Sequence, residues 1–66
     1  MNISHTEDVM KTKEKILTEA VKLFAEEGFE AVTVEKIADA VGIKAPSLYK
    51  HYRSKQDIFD SILNEM

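Results

Sequence analysis

The fold is decided by residues 33–52, which read TVEKIADAVGIKAPSLYKHY. Thr33 offers a hydroxyl that can cap a helix, and apolar residues then recur at the helical spacing i, i+3, i+4 and i+7, namely Val34, Ile37, Ala38 and Val41. Gly42 supplies the positive φ of a sharp turn, and Pro46 suits the first turn of a new helix. Two short helices joined in this way are the sequence signature of a helix-turn-helix.

Spacing alone also fits an ordinary helical hairpin, which needs the same apolar residues and the same glycine. The surface of the second of these two helices favours the helix-turn-helix. With Leu48 on the core face and about 100° per residue, Pro46 and Lys50 point away while Ser47 and Tyr49 lie on the flanks. Basic residues adjoin this surface on both sides: Lys44, Arg53 and Lys55.

This exposed surface has the donors that DNA recognition requires. Ser47 and Lys50 are of a type that can hydrogen-bond base edges, whereas Tyr49, Lys55 and Thr33 carry donors suited to phosphate oxygens. Backbone N–H groups that open the following helix could receive a phosphate as well.

Two longer helices are predicted on either side of the motif. The first repeats apolar residues from about Thr12 and ends at Gly28, expected in a left-handed conformation with Phe29 folding back onto the helix. Its predicted core face comprises Ile16, Leu17, Ala20, Val21 and Phe24, with Leu23 beside it. The last helix starts at Ser54, which forms a capping box with Asp57. Its predicted core face comprises Ile58, Phe59, Ile62, Leu63 and Met66.

The net charge of −3 argues against DNA binding when it is taken alone, because nucleic-acid-binding domains are typically strongly basic. The distribution of the charges along the chain changes that conclusion. Residues 40–56 contain three lysines, one arginine and no acid, whereas residues 7–30 contain seven acids and four lysines. One end can therefore face a polyanion while the other repels it, which orients the approach. A solvated lysine-rich loop is the alternative interpretation of residues 40–56.

Composition excludes several other classes of protein. The 66 residues allow one domain, and the absence of cysteine removes disulfides and thiolate metal sites. No apolar run approaches the roughly 20 residues of a membrane span, and a secretion signal is absent, so a cytoplasmic, nucleoid-associated protein is predicted. Two histidines without motif spacing do not indicate a metal site, and no constellation supports catalysis, so we expect neither an enzyme nor a bound cofactor.

The motifs as a whole resemble the N-terminal DNA-binding domain of TetR-family transcriptional regulators. The resemblance runs from about Lys11 onward and is carried by five segments: GF at 28–29, TVEKIA at 33–38, VGI at 41–43, SLYKHY at 47–52 and SKQDIF at 54–59. It implies that the third helix enters the major groove, and that Thr33, Tyr49 and Lys55 reach phosphates. It also implies a C-terminal domain, not contained in these residues, that binds a small-molecule inducer and forms a homodimer.

Two positions depart from the simplest pattern. Ala45 gives the third helix no side-chain cap, and Glu35 is an acid in the helix that precedes the predicted DNA-reading helix. Glu35 either accepts a hydrogen bond from a cytosine amine or tilts away from the phosphates, and we favour tilting. His51 is expected to pack or to contact a phosphate, and Tyr52 to lie in the core rather than stack on bases.

The sequence therefore predicts an all-α, homeodomain-like three-helix domain with a helix-turn-helix at about 33–52 and the start of a fourth helix. Residues 11–66 form the DNA-binding domain, and residues 1–10 are an arm, either partly disordered or extending the first helix. The predicted function is sequence-specific DNA binding as the head of a ligand-responsive transcriptional repressor. The predicted partner of the domain is a palindromic operator in double-stranded DNA, with no membrane contact. The alternative function is a helical protein-interaction module that has lost its DNA contacts. The segment assigned to DNA comprises Thr33, Lys44, Ala45, Pro46, Ser47, Tyr49, Lys50, His51, Tyr52 and Lys55.

Overall fold

The computed structural model describes residues 5–65, with side-chain environments for residues 11–64. Four α-helices follow one another: α1 (His5–Glu27), α2 (Val34–Val41), α3 (Ala45–Tyr49) and α4 (Lys55–Glu65), with a 3-10 turn at Phe29–Ala31 between α1 and α2. Residues 5–65 contain no β-strand, so the predicted all-α class is confirmed. None of the helices described has the length and hydropathy of a bilayer-crossing segment.

Helix α1 is the longest element and packs against α2, α4 and the 3-10 turn. It already includes residues 5–10, whereas residues 1–4 of the predicted arm lie outside the described part. Ile16 and Ala20 are fully buried along its length. Val21 was predicted on the core face but is 45% exposed, because it lies about 140° around the helix from Ile16, at the edge of the apolar stripe.

Gly28 ends α1 with a conformation different from the one predicted. Its φ of 89° is positive, but its ψ of 150° lies outside the left-handed helical region, in a part of conformational space that is almost restricted to glycine. Its N–H donates to the carbonyl of Phe24 at 2.9 Å. The chain then turns sharply, and Phe29 folds back so that its ring centroid lies 5.3 Å from that of Phe24, as predicted.

Helices α2 and α3 form the predicted helix-turn-helix. Gly42 adopts the left-handed conformation (φ 93°, ψ 25°), and both its N–H and that of Ile43 donate to the carbonyl of Ala38 at 2.9 Å. This pair of bonds satisfies the free carbonyl at the end of α2 and reverses the chain. Ala38 is 1% exposed, and its small side chain permits close packing.

Helix α3 is shorter than predicted. It begins at Ala45, with Lys44 rather than Ala45 in the N-cap position, and it ends at Tyr49 rather than near Tyr52. The N–H groups of His51 and Tyr52 still donate to the carbonyl of Leu48, at 2.8 and 3.1 Å. Beyond Tyr49 the chain therefore continues in tight turns, which a sequence pattern does not separate from helix.

Helix α4 begins with half of the predicted capping box. The hydroxyl of Ser54 accepts from the N–H of Asp57 at 3.1 Å, but the Asp57 carboxylate accepts from the N–H of Arg53 at 2.9 Å instead of from Ser54. Leu63, predicted on the core face, is 56% exposed, since it lies about 140° around the helix from the buried Ile58. Met66 lies outside the described residues.

The core of the described chain is entirely apolar apart from one tyrosine hydroxyl. It gathers side chains from every helix, from the segment after the 3-10 turn and from the turns after α3: Ile16, Ala20, Val32, Val34, Ile37, Ala38, Val41, Leu48, Tyr52, Ile58 and Ile62. Beside it, the half-buried rings of Phe24, Phe29 and Phe59 form an aromatic cluster with centroids 5.3 to 5.9 Å apart. Such spacings are favourable for aromatic pairs, so the cluster joins α1, the 3-10 turn and α4.

Replacing Gly42 tests how far the turn depends on a left-handed residue. Gly42→Ala should lower the free energy of unfolding by about 1–2 kcal/mol, because an added Cβ is strained at φ 93° although no atom lies within 4 Å of it. Gly42→Asn should cost less, since asparagine tolerates this conformation. Urea unfolding of the three chains measures the effect, and equal stability of the alanine and glycine chains would contradict this account of the turn.

Candidate nucleic-acid interface

Helix α3 displays the exposed surface on which the site is built. Leu48 is fully buried and seats the helix, while Pro46 and Lys50 are exposed and Tyr49 is 46% exposed. Ser47 is half-buried on the flank. We call the surface formed by Pro46, Ser47, Tyr49 and Lys50, together with the exposed Lys44 at the N-cap, the α3 face. It lies within the acid-free stretch of residues 40–56.

The first turn of α3 is built without any acidic side chain. The N–H groups of Ser47 and Leu48 donate to the carbonyl of Lys44, at 2.9 and 3.2 Å. Pro46 has no N–H to leave unsatisfied, so the helix starts without help from a side-chain cap. A turn with cationic and hydroxyl side chains and no carboxylate is suited to approach a polyanion.

Thr33 combines two roles at the start of α2. Its hydroxyl oxygen accepts from the N–H of Lys36 at 3.1 Å, which confirms the predicted cap. An oxygen that accepts in this way keeps its own hydrogen for donation, and the residue is exposed. Thr33 can therefore cap α2 and donate to a phosphate at the same time.

Lys55 opens α4 and is held against the 3-10 turn. Its ammonium donates to the carbonyl oxygen of Phe29 at 2.6 Å and lies 4.2 Å from the centroid of the Phe29 ring. Phe29 and Thr33 are four residues apart and cannot be separated by more than about 14 Å. The structure thus places Lys55 against Phe29, four residues before Thr33 in the chain, and the sequence analysis predicted a phosphate contact for both Lys55 and Thr33.

The C-terminal end of the predicted segment is partly withdrawn from the surface. His51 is half-buried, and Tyr52 is only 6% exposed, within the core, with the ammonium of Lys13 lying 5.6 Å from its ring centroid. The ring of Tyr52 therefore supports the domain from inside and is not part of the exposed surface. We therefore remove Tyr52 from the predicted DNA contacts. Its burial agrees with the expectation from helical spacing that Tyr52 lies in the core.

Two cations, Lys36 and Arg53, were not among the predicted contacts. Lys36 lies in the same first turn as the Thr33 cap and pairs with Glu27, which joins the start of α2 to the end of α1. Arg53 is exposed just before α4. The position of Lys36 three residues after Thr33 could have been read from the sequence, whereas its pairing with Glu27 depends on the packing of two helices.

Among the side chains of residues 11–64, no cluster of three His, Cys, Asp or Glu is placed to hold a metal ion. The α3 face and its neighbours offer hydroxyl, ammonium and backbone N–H donors. These are the groups that bind phosphate oxygens and the edges of bases.

Comparison with known proteins points to one family. The model of the family described as "Bacterial regulatory proteins, tetR family" matches residues 16–62. The chain is also similar to the HTH-type negative transcriptional regulator IcaR of the biofilm operon icaADBC from Staphylococcus aureus, with 44% identity over 48 residues. IcaR of Staphylococcus epidermidis is 43% identical over 47 residues.

The matched region is a large part of this chain and a small part of the relatives. It covers 73% of the chain and 26% of the Staphylococcus aureus protein, and 71% and 25% in the comparison with Staphylococcus epidermidis. The chain thus spans about a quarter of the length of the curated relatives that it matches.

The cap made by Thr33 gives a prediction about stability. Thr33→Val removes the oxygen that accepts from Lys36 and should lower the free energy of unfolding by about 1 kcal/mol. Thr33→Ser retains the hydroxyl and should stay within a few tenths of a kcal/mol of the parent chain. Urea unfolding distinguishes the two, and an equal loss in both variants would show that the methyl group rather than the cap is responsible.

Proposed function

This chain belongs to the TetR family of bacterial regulatory proteins, and we propose that it is the sequence-specific DNA-binding part of a transcriptional repressor. The observation that carries the proposal is the α3 face, an exposed and acid-free surface on a helix fixed to the domain by Leu48. Helix-turn-helix proteins place the second helix of the motif in the major groove. In this chain that helix is α3.

The proposal divides the contacts by chemistry. Ser47 and Lys50 read base edges in the major groove, where each base pair presents its own pattern of donors and acceptors. Tyr49, Thr33 and Lys55 donate to phosphates and fix the position of the domain on the duplex. The exposure of Tyr49 and the free hydroxyl hydrogen of Thr33 support this division.

The charge distribution supports one orientation on DNA. Seven acids lie within residues 7–30, and none lies within residues 40–56. The α3 face is attracted to the phosphates while the acidic surface of α1 is repelled. A net charge of −3 is then compatible with DNA binding, because only one side of the domain meets the polyanion.

Repression is proposed as the sign of regulation. The similar proteins from both staphylococcal species are named negative transcriptional regulators. Their operon is a property of those proteins, and we do not extend it to this chain. Binding to chromosomal DNA would place the protein with the nucleoid in the cytoplasm.

Each copy of the chain is proposed to read one half-site of a palindromic operator. Dimeric helix-turn-helix proteins bind half-sites about one helical turn or a multiple of it apart. Dimer formation and response to a small-molecule inducer are assigned by the proposal to a C-terminal domain. A single copy of residues 1–66 should accordingly bind DNA more weakly than a dimer does, and low-salt conditions suit its study.

Binding to duplex DNA should weaken with salt. Each phosphate neutralised by a lysine or arginine contributes about −0.9 to the slope of log affinity against log salt concentration, so the Lys55 contact predicts about −0.9 per domain and each further cation that reaches a phosphate adds as much. Fluorescence anisotropy with a labelled mixed-sequence duplex of about 20 base pairs measures this slope. An affinity for DNA that does not change with salt would contradict the proposal. Absence of DNA binding, together with capture of a defined protein partner, would favour a helical protein-interaction module.

Single substitutions should separate the two kinds of contact. Tyr49→Ala and Lys55→Ala should weaken binding equally on all sequences, and Lys55→Ala should also reduce the salt slope by about one contact. Lys50→Ala should reduce the preference for a selected operator over a scrambled duplex by about tenfold.

Lys22→Ala is the matched control for these variants. Lys22 is an exposed lysine on α1, paired with Glu19 and remote in sequence from the acid-free stretch. Lys22→Ala should leave unchanged both the affinity for DNA and the preference for the selected operator. If Lys50→Ala and Tyr49→Ala lost affinity in the same way on every duplex, the division of contacts would be wrong.

A further inference from the structure

We propose that Phe29 is a positioning residue for Lys55, and that it holds the lysine ready for a phosphate. Two contacts from one residue carry the inference. The Phe29 carbonyl oxygen accepts from the Lys55 ammonium at 2.6 Å, and the Phe29 ring lies under the same ammonium at 4.2 Å. These contacts join residues that are 26 positions apart in the chain. The inference rests on the proposed function of Lys55 as a phosphate contact.

The location of Lys55 explains why it needs a partner. As the first residue of α4 it lies at a helix N-terminus, where the helix dipole disfavours a cation. Lysine is also long and flexible, so an unrestrained ammonium would sample many positions. A carbonyl dipole and the negative face of an aromatic ring both attract the ammonium and oppose these two effects.

Phe29 is itself fixed in place. Gly28 directs the chain through φ 89° and ψ 150°, and this sets the direction of the following residue. The Phe29 ring packs against Phe24 and Phe59, at 5.3 Å in both cases. Phe59 lies one turn beyond Lys55 on α4, so the same aromatic cluster fixes both the ring and the helix that carries the lysine.

The contact leaves the lysine able to bind DNA. An ammonium has three N–H donors, and the Phe29 carbonyl takes one of them. Lys55 is half-buried, so part of its side chain is still open to solvent. A phosphate that approaches the start of α4 therefore meets a cation whose freedom is already reduced, and less conformational entropy is lost on binding.

A double-mutant cycle on DNA binding tests the positioning role. The four chains are the parent, Phe29→Leu, Lys55→Met and the double variant, measured by anisotropy at low salt with the same mixed-sequence duplex. Phe29→Leu removes the ring but keeps an apolar side chain, and it should weaken binding about two- to fivefold. In the Lys55→Met background the same substitution should have no effect, because no ammonium is left to position.

A matched variant separates positioning from stability. Phe24→Leu removes a ring of the same cluster but keeps the Phe29 carbonyl and the Phe29 ring that contact Lys55. It should reduce stability to urea while weakening DNA binding less than Phe29→Leu does. Equal weakening by Phe29→Leu in the parent and in the Lys55→Met background would overturn the inference while leaving the proposed function intact.

A second measurement does not depend on DNA. The Phe29 ring should shift the proton resonances of the Lys55 ε-methylene upfield in the free protein, and Phe29→Leu should abolish that shift. Unshifted resonances in the parent chain would overturn the contact itself. If the contact is present but the parent shows no salt-dependent DNA binding, both the positioning role and the proposed function fail.

Discussion

The burial of Leu48 is the interaction on which the function of the domain depends. Helix α3 has five residues, far too few to be stable alone, and Leu48 is the one residue of that helix that is buried. Its side chain joins a core that contains Ile37 and Ala38 of α2. The direction in which α3 displays its exposed residues is therefore set by the seating of one leucine rather than by any property of the helix itself.

Short helices make the ends of helices important, and three of the ends described here are satisfied by a nearby group. Thr33 and Ser54 cap α2 and α4 with their hydroxyls, and Gly42 closes α2 through its own N–H and that of Ile43. Thr33 is itself a proposed phosphate contact, and Ser54 directly precedes another, Lys55. Because a capping hydroxyl retains its hydrogen, stabilising the helix and donating to a phosphate do not compete at Thr33.

Much of this structure could be predicted from the sequence because local rules govern it. The caps at Thr33 and Ser54, the turn at Gly42 and the buried Leu48 all follow from residue type and helical spacing. The errors at Val21 and Leu63 arose because an apolar residue at the edge of the stripe was counted as core. The early end of α3 was missed because hydrogen bonds to the Leu48 carbonyl continue its turns without forming a regular helix.

The candidate site was predictable in part for the same reason. The residues of the α3 face follow from one helix and one core position, whereas the contact of Lys55 with Phe29 spans 26 residues. Such a contact requires the relative placement of α4 and the 3-10 turn, which no local pattern specifies. The pair of Lys36 with Glu27 was missed for the same reason, since it requires the relative placement of α1 and α2.

The separation between the apolar core and the α3 face has a consequence for how such a protein changes over evolutionary time. Pro46, Tyr49 and Lys50 are exposed, and surface substitutions of this kind commonly change stability by less than about 0.5 kcal/mol. New side chains can therefore be tried at Lys50, which is proposed to read base edges, while Leu48 keeps the helix in place. A duplicated copy of the gene could acquire a different operator without first acquiring a more stable fold.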